Sequence, residues 1–261
     1  MTQIAKNSQY FPKCEFIDET QVYEYLSTLM YTIYEYVRLE KWIGKIPLKR
    51  APKVEFYISK NVDGEEMRPV YRWGQSEMCW HAGYPMPPMM LAIAKNIKEK
   101  FGEDVNHAIS IFYHSGTDQH APPHHDKQIG MEAAKNVPLD MAEHSSFYVF
   151  SFGDPRVFTL QTTSKTKPAE RGVVWQEALA HGSLLRISAQ DNKELYHAVY
   201  KAGKKHGARY SLIFRDIVSF IPVDTNKAVE ANSTKYLFDP DDLLGKAEIV
   251  SALGKREREE E

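Results

Sequence analysis

The sequence predicts a mainly β fold of the α+β class, with a jelly roll as its core and helices that flank it on the N-terminal side. From about residue 107 onward, short runs of β-branched and aromatic residues follow one another, separated by polar or glycine-containing stretches. Many short strands without helices between them are typical of a sandwich or barrel, not of a βαβ sheet. The number and spacing of these runs fit a jelly roll.

Length and composition predict one structural domain with three parts. The chain has 261 residues, of which 43% are apolar and 26% charged, as in ordinary soluble globular proteins. A single β core can reach this size. We expect residues 1–106 to form an N-terminal part packed on the core and residues 107–223 to form the core itself. Residues 224–261 are expected to form an extension with a short helix and a frayed, highly charged tail.

Two helices are predicted before the core. Residues 19–39 place apolar side chains at three- and four-residue steps, which indicates an amphipathic helix. The pair Pro87-Pro88 opens a second helix, and Gly102 closes it. Residues 43–85 are rich in Tyr, Trp, Pro and Gly, which favours short strands and loops. The strands of the core are then expected near residues 108–113, 146–152, 156–161, 183–188, 196–200 and 209–220.

Charge and cysteine content exclude some classes of protein. The net charge of −2 and pI near 6.6 do not favour binding of nucleic acid through the overall charge of the protein. Nucleic-acid binding would need a local patch, and the alternative for each lysine cluster is solvated surface. The candidates are Lys45, Lys49, Arg50 and Lys53, and a second group of Lys201, Lys204, Lys205 and His206.

The compartment is expected to be intracellular, cytoplasmic or nuclear. Cys14 and Cys79 form no disulfide framework, which favours a reducing environment. No apolar run approaches the length of a membrane span, so no membrane partner is expected. The N-terminus lacks the apolar segment of a secretory signal.

A metal site is predicted at His124 and Asp126. On an extended segment these two side chains point to the same face, while His125 points away. His197, in the apolar run LYHAVY, is the best candidate for a third ligand. Two histidines and one carboxylate with open coordination positions are typical of non-haem Fe(II) oxygenases. The alternative for His124 and Asp126 alone is a solvated loop.

A second constellation is the segment RYSLIFR. Its two arginines, Arg209 and Arg215, share one face of the strand with Ser211 and Ile213. Guanidinium groups pair bidentately with carboxylates, so the two arms can bracket a bound dicarboxylate. The alternative is a half-exposed strand whose arginines meet water. An arginine next to the apolar run IVSFIP is, however, costly to bury without a partner.

Together these residues resemble the AlkB-like Fe(II)/2-oxoglutarate-dependent dioxygenases. The resemblance rests on Tyr113, the HxD pair, the distal His197 and the arginine strand, and it covers residues 107–217 well. It implies a double-stranded β-helix, a form of jelly roll, with iron held by His124, Asp126 and His197. It also implies that 2-oxoglutarate and O2 are co-substrates and that 2-oxoglutarate is bound by Tyr113, Arg209, Ser211 and Arg215.

The family's activity implies a methylated DNA or RNA partner. Its members commonly hydroxylate an N-methyl group on a nucleobase, which leaves as formaldehyde, and the N-terminal part acts as a substrate lid. The sequence departs from the family at three positions. Ile111 and Ser211 stand where asparagine is usual, and Gln128 stands where several nucleobase demethylases have a carboxylate. We expect Gln128 at the mouth of the metal pocket, where a neutral amide favours neutral methylated bases over cationic ones.

Residues for holding a flipped base are sought in the N-terminal part. Such a base is stacked between aromatic faces and read along its polar edge, a role that Tyr71, Trp73 and Arg50 can serve. The alternative is an aromatic cluster that packs the lid on the core. Two rival functions remain at this point: the same iron chemistry on a protein side chain or small molecule, or a metal-stabilised jelly roll that only binds a partner. The sequence does not indicate an oligomeric state.

Overall fold

The computed structural model describes residues 2–5, 7–29, 53–72, 83–117, 119–132, 137–202 and 206–225. Its first elements are β1 (Thr2–Ile4), β2 (Ser8–Phe11), α1 (19–29), β3 (Lys53–Tyr57), β4 (Lys60–Val62), β5 (Glu65–Pro69), β6 (Gly83–Pro85) and α2 (Pro88–Phe101). The core follows with β7 (His107–Tyr113), β8 (Ala121–His124), β9 (Phe147–Gly153), β10 (Arg156–Gln161), β11 (Val173–Leu179), β12 (Ser183–Ile187), α3 (Ala189–Glu194), β13 (Tyr196–Val199), β14 (Arg209–Arg215) and β15 (Phe220–Pro222). A 3-10 turn covers Pro168–Glu170.

The strands form two large antiparallel sheets and a small one, so the protein is mainly β. The large sheet has the order β1-β2-β12-β9-β14-β7-β3-β6, and only its β3–β6 pair is parallel among the described pairs. The second sheet has the order β11-β10-β13-β8, and the small sheet has the order β15-β5-β4. This arrangement is consistent with the jelly-roll-like β fold that the sequence predicts.

The large sheet separates two apolar cores. On one side, α1 and α2 pack against alternate residues of its central strands, including Tyr210, Leu212 and Phe214 of β14. On the other side, Val149 and Leu185 of the large sheet meet residues of the second sheet such as Phe158 and Val199. Because side chains alternate along a strand, the odd-numbered residues of β14 face the space between the two sheets.

The helices begin and end where local signals predict. The Asp18 side chain accepts a hydrogen bond from the Gln21 amide at 3.0 Å at the start of α1, whose predicted continuation to residue 39 lies outside the described residues. Helix α2 begins at Pro88 and ends at Gly102, which adopts a φ of 74° that favours glycine. The predicted C-terminal helix and tail also lie outside the described residues.

Several elements were not expected from the sequence, among them β1, β2, β11 and α3. Strand β2 pairs with β12 and β1 pairs with β2, so both extend the large sheet, and the short helix α3 precedes β13. The Ser188 side chain caps α3 by accepting a hydrogen bond from the Asp191 amide. Within the described residues there is no helix long and apolar enough to cross a bilayer.

Candidate metal centre

The three predicted metal ligands come together between the two large sheets. His124 ends β8, and His197 lies directly opposite it on β13, so that their ring centroids are 4.1 Å apart. Asp126 follows β8 by two residues. The candidate ligand atoms of all three residues lie within 4.8 Å of one another. The period-two alternation of an extended chain places His124 and Asp126 on one side, and the β8–β13 pairing supplies the third ligand.

The carboxylate of Asp126 is held ionised inside the protein. Its side chain is fully buried, and Arg215 donates from Nε to Oδ2 at 2.7 Å. The hydroxyl of Tyr71 lies 3.4 Å from Oδ1. Burial alone would raise the pKa of Asp126, but the charge and hydrogen bond of Arg215, with smaller contributions from the neighbouring imidazoles, lower it below its usual range. An ionised carboxylate is the form that binds a metal ion.

Both histidines are poised to coordinate in their neutral form. Burial lowers the pKa of His197 well below its ordinary value, and the proximity of His124 lowers it further. Burial also lowers the pKa of His124, whose Nδ1 lies 2.7 Å from the Pro122 carbonyl oxygen. The Nδ1 atom of His197 is buried without a hydrogen-bond partner among the described residues. An orphaned ring nitrogen, an ionised carboxylate and a second neutral imidazole fit a bound Fe(II) ion.

A cavity of about 280 Å³ adjoins these ligands. Its apolar walls come from both sheets and include Ile111, Phe147, Val149, Phe158, Val199 and Ile213. Its polar lining residues are Lys53, Tyr113, His120, His124, His197, Ser211 and Arg215. The ring of His197 stacks on Phe158 with a centroid distance of 5.8 Å, which fixes its orientation. The cavity therefore combines candidate metal ligands, cationic groups and an apolar wall in one place.

Asn192 holds the metal-binding segment in position, a role that the sequence did not reveal. Its Oδ1 accepts from the Asp126 amide at 2.9 Å, and its Nδ2 donates to the Asp126 carbonyl at 2.9 Å. The Asn192 carbonyl lies 2.6 Å from Nδ1 of His125. His125 thus points away from the cavity and anchors the segment to α3. Hydrogen bonds of this kind orient metal ligands and contribute to metal affinity.

We predict that Asn192→Ala weakens metal binding by about 10- to 100-fold, the usual effect of losing a group that orients a ligand. The affinity can be measured by titrating the protein with Mn²⁺. Asn96→Ala is the matched control, because Asn96 also donates to a backbone carbonyl, that of Phe16, at 2.8 Å but on the helical side of the large sheet. Equal metal affinities for the two variants would show that Asn192 does not position Asp126.

The structure corrects the expectation for Gln128. Its side chain is fully buried and does not line the cavity. Nε2 donates to the carbonyls of Ala142, Glu143 and Ser145 at 2.8–2.9 Å, and Oε1 accepts from Asn192 at 3.1 Å. The predicted orientation was wrong because the amide satisfies buried backbone carbonyls that would otherwise lack a donor. Gln128 therefore cannot give the protein the expected preference for neutral methylated bases over cationic ones.

We predict that Gln128→Glu destabilises the protein by roughly 1–3 kcal/mol or more, because a carboxylate would face three carbonyl oxygens. Thermal unfolding of the apo protein measures this effect. Gln176→Glu is the control, since that side chain lies on the exposed strand β11. A Gln128→Glu variant that unfolds at the wild-type temperature would contradict the hydrogen bonds described for this amide.

The substrate-binding expectation for Tyr71 is also corrected. Tyr71 is buried, its hydroxyl accepts from the Lys127 amide at 3.0 Å, and the guanidinium of Arg215 lies 4.9 Å from its ring centroid. The hydroxyl and one ring face are therefore engaged around the metal-binding segment, and the side chain is only 2% exposed, so it is not accessible for stacking a base. Trp73 and Arg50, the other two residues expected to bind substrate, lie outside the described residues.

The co-substrate residues divide into two groups. Tyr113, Ser211 and Arg215 line the cavity, and Nη1 of Arg215 has no hydrogen-bond partner among the described residues. Arg209 does not line it, contrary to expectation. It lies behind Tyr113, with its guanidinium 5.2 Å from that ring centroid. The reason is the length of β14: Arg209 shares a face with Arg215 but sits at the far end of the strand.

Two further residues near the cavity were missed as site residues. Lys53, which the sequence assigned to a surface cluster, lines the cavity opposite Ile111 of β7. Arg156 is 2% exposed; burial raises the pKa of Tyr113 and lowers that of Arg209, and the charge of Arg156 acts in the lowering direction on both. A signal for Arg156 was present: it shares an alternating face of RVFTLQ with Phe158 and Leu160, which are both buried.

Comparison with known proteins leaves the family open. No family model matches the chain, and no curated protein matches it. Among solved structures, the chain is similar to one described as "The structure of OsALKBH1", with 11% sequence identity and a TM-score of 0.41. The match covers 82% of this chain and 100% of that chain. At this identity and TM-score the likeness says nothing about activity, so the function has to be argued from the site itself.

Proposed function

We propose that this protein is an AlkB-like Fe(II)/2-oxoglutarate-dependent dioxygenase that oxidatively demethylates N-methylated nucleobases in DNA or RNA. The observation that carries the proposal is the group of half-buried His124 and buried Asp126 and His197 beside a cavity that Arg215 also lines. A closed structural metal site has no need of an adjoining cavity, whereas an oxygenase needs room for co-substrate and substrate beside the metal.

The proposal includes a fold and a domain organisation. Strands β12, β9, β14 and β7 of the large sheet and the four-stranded sheet form the two halves of a double-stranded β-helix within residues 107–223. Residues 1–106 contribute the lid and the flanking helices, and residues 224–261 form an extension. The position of Lys53 in the cavity lining supports a role of the N-terminal part in the site. We propose an intracellular location, cytoplasmic or nuclear.

Different residues of the chain have different roles in the proposed reaction. When bound, Fe(II) with 2-oxoglutarate and O2 supplies the oxidation, in which one oxygen atom enters succinate and the other the methyl group while CO2 is released. His124, Asp126 and His197 would hold the ion. Arg215 helps to keep Asp126 ionised by donating from Nε, and its guanidinium, whose Nη1 has no partner among the described residues, would pair with a carboxylate at the same wall.

The remaining lining residues orient the co-substrate and exclude water. The hydroxyls of Tyr113 and Ser211 supply hydrogen bonds at the cavity wall. The apolar side chains that surround the histidines keep bulk water from the reacting centre, which strengthens each charged contact inside. A hydroxymethyl group formed on a base nitrogen would then leave as formaldehyde, which regenerates the unmodified base.

The test is a screen of oligonucleotides, each with one methylated base, read by mass spectrometry with formaldehyde and succinate measured in parallel. We expect at least one substrate to lose about 14 mass units, the mass of one CH2 group. Formaldehyde and succinate should form in equal amounts. Asp126→Ala is the inactive control. If succinate forms with a protein or a small molecule but with none of the methylated oligonucleotides, the nucleobase is not the substrate and the other compound takes its place in the proposal. No succinate with any substrate would refute the oxygenase itself.

A further inference from the structure

Of the three candidate metal ligands, Asp126 depends most on helix α3. His124 and His197 lie on paired strands, whereas Asp126 follows the end of β8. Both backbone groups of Asp126 are hydrogen-bonded to the side chain of Asn192, which is buried on α3. A displacement of α3 would therefore move the backbone of Asp126 relative to the two histidines and disturb the geometry of the proposed metal centre.

The start of α3 is held by the N-terminal strand β2. Oδ2 of Asp191, in the first turn of the helix, accepts hydrogen bonds from the Ser8 amide at 3.0 Å and from the Ser8 hydroxyl at 2.6 Å. The Asn7 amide donates to the same oxygen at 3.2 Å. The Ser8 hydroxyl oxygen also accepts from the amide of Ser188, the N-cap residue, at 3.0 Å. The Ser8 hydroxyl thus connects β2 with both a side chain and the backbone at the helix start.

The connection is buried, and β2 does not need it to stay on the large sheet. Ser8 and Asp191 are both buried, and hydrogen bonds that end on a carboxylate away from water are stronger than those between neutral groups. Strand β2 also pairs with β12, and Tyr10 of β2 belongs to the same apolar core as Ile187 of β12. Ser8 therefore adds a specific contact with α3 to a strand that backbone pairing and apolar packing already hold.

We propose that Ser8 and Asp191 are positioning residues for the metal centre: the docking of β2 on α3 fixes Asn192, and Asn192 fixes Asp126. The inference rests on the metal site of the proposed function, and it adds a segment that lies 183 residues before Asp191 in the sequence. Neither Ser8 nor Asp191 lines the cavity, so both act on the metal only through the helix. Release of β2 from α3 lowers the metal affinity although all three ligands are present.

The test is a titration of Mn²⁺ into the wild type, Ser8→Ala, Asn192→Ala and the double variant. We expect Ser8→Ala to weaken Mn²⁺ binding by about three- to tenfold, less than the roughly 10- to 100-fold for a group that bonds directly to the ligand segment. In the Asn192→Ala background, loss of the Ser8 hydroxyl should change the affinity by less than about twofold, because the connection to Asp126 is already broken. A serine that only stabilised the fold would give the same factor in both backgrounds.

Ser146→Ala is the matched control. Like Ser8, Ser146 is buried and donates from its amide and its hydroxyl to one carboxylate, that of Glu103, at 2.7 Å and 2.9 Å. Glu103 follows helix α2, so this contact does not involve α3. Both variants should lower the unfolding temperature of the apo protein, but only Ser8→Ala should lower the metal affinity. If Ser8→Ala does not fold, Ser8→Cys replaces it, since a thiol is only a weak hydrogen-bond donor.

A second measurement needs no variant. Coupling between two events is reciprocal, so a metal ion whose binding is favoured by the docking of β2 must also favour that docking. The amides of Asn7 and Ser8, which donate to Asp191, should therefore exchange with deuterium more slowly when Mn²⁺ is bound. The Ser146 amide, which donates to Glu103, should exchange at nearly the same rate in both states. Hydrogen exchange read by mass spectrometry measures the difference.

The outcomes distinguish this inference from the proposed function. A wild type that does not bind Mn²⁺ refutes the metal site and the inference with it. Wild-type affinity in Ser8→Ala, or an equal loss in Ser146→Ala, overturns the inference and leaves the proposed function standing. The same holds if the effect of Ser8→Ala is unchanged in the Asn192→Ala background. Exchange at Asn7 and Ser8 that Mn²⁺ does not slow would also overturn it, even if no Ser8 variant folds.

Discussion

Replacing His124 by alanine is expected to abolish high-affinity metal binding and, with it, turnover of 2-oxoglutarate. His124 and His197 face each other across β8 and β13, and with Asp126 they form the group whose ligand atoms lie within 4.8 Å. Loss of one of three protein ligands should weaken binding by more than the roughly 10- to 100-fold that follows the loss of an orienting group. Mn²⁺ titration and succinate formation measure the two effects.

The matched control is His144→Ala, because the His144 side chain is 90% exposed and does not line the cavity. That variant should bind the metal and turn over 2-oxoglutarate as the wild type does. The double variant of His124 and His197 should lose no more activity than either single variant, because the ligands act as a unit. Wild-type metal affinity in His124→Ala would remove this histidine from the site.

The second large effect is expected from Arg215→Met, which should make metal binding depend on pH where the wild type shows little dependence. Burial raises the pKa of Asp126 in the wild type, but the charge and hydrogen bond of Arg215, together with the neighbouring imidazoles, bring it below its usual range. Its contribution to stability is therefore present above the ordinary carboxylate pKa and is lost as the pH falls through the lower folded value. Without the arginine, burial acts unopposed by that charge and raises the pKa of Asp126.

A raised pKa means that a metal ion must displace a proton from Asp126. In Arg215→Met the metal affinity should therefore fall as the pH is lowered from about 8 to about 5, by up to about tenfold for each pH unit below the new pKa. Mn²⁺ titration at a series of pH values measures this slope. Arg215→Lys is the control, since it keeps a positive charge beside the carboxylate. Parallel pH profiles for Arg215→Met and the wild type would refute the role of Arg215 in ionising Asp126.

Arg215→Met should also weaken 2-oxoglutarate binding, because it removes the guanidinium that lines the cavity, whose Nη1 has no partner among the described residues. One charge-assisted hydrogen bond contributes roughly 1.5–3 kcal/mol, which is about 10- to 100-fold in affinity. The pH slope and the co-substrate affinity report separately on the two functions of this side chain. An Arg215→Lys variant that restores the pH slope but not the 2-oxoglutarate affinity would assign Nε to Asp126 and Nη1 to the co-substrate.

Features that depend on local chain geometry were predictable from the sequence. His124 and Asp126 share a side because alternate residues of an extended segment point the same way, and the same rule placed Tyr210, Leu212 and Phe214 on the face opposite the arginines. Helix α2 begins and ends at the proline and glycine signals that the sequence contains. Such signals act over a few residues and need no knowledge of distant contacts.

Features that depend on distant partners were not predictable. Strands β1 and β2 are short, and they join the large sheet through the pairing of β2 with β12, which is remote in sequence. The orientation of Gln128 depends on carbonyls of residues 142–145 and on Asn192, and the position of Asp126 depends on the same asparagine. A loop side chain has several allowed directions, and the tertiary contacts choose among them.

The sequence by itself determined the set of candidate metal ligands, the mainly β fold class and the faces of the arginine strand, because each follows from residue type and alternation along the backbone. Only the tertiary structure decided that Arg215 bonds to Asp126 and that Arg209 lies behind Tyr113. The contact of Arg215 with Asp126 depends on how the segment after β8 packs on the large sheet, and the position of Arg209 depends on the pairing of β14 with β7. Both contacts join segments that are distant in sequence, so the spacing of residues along the chain does not predict them.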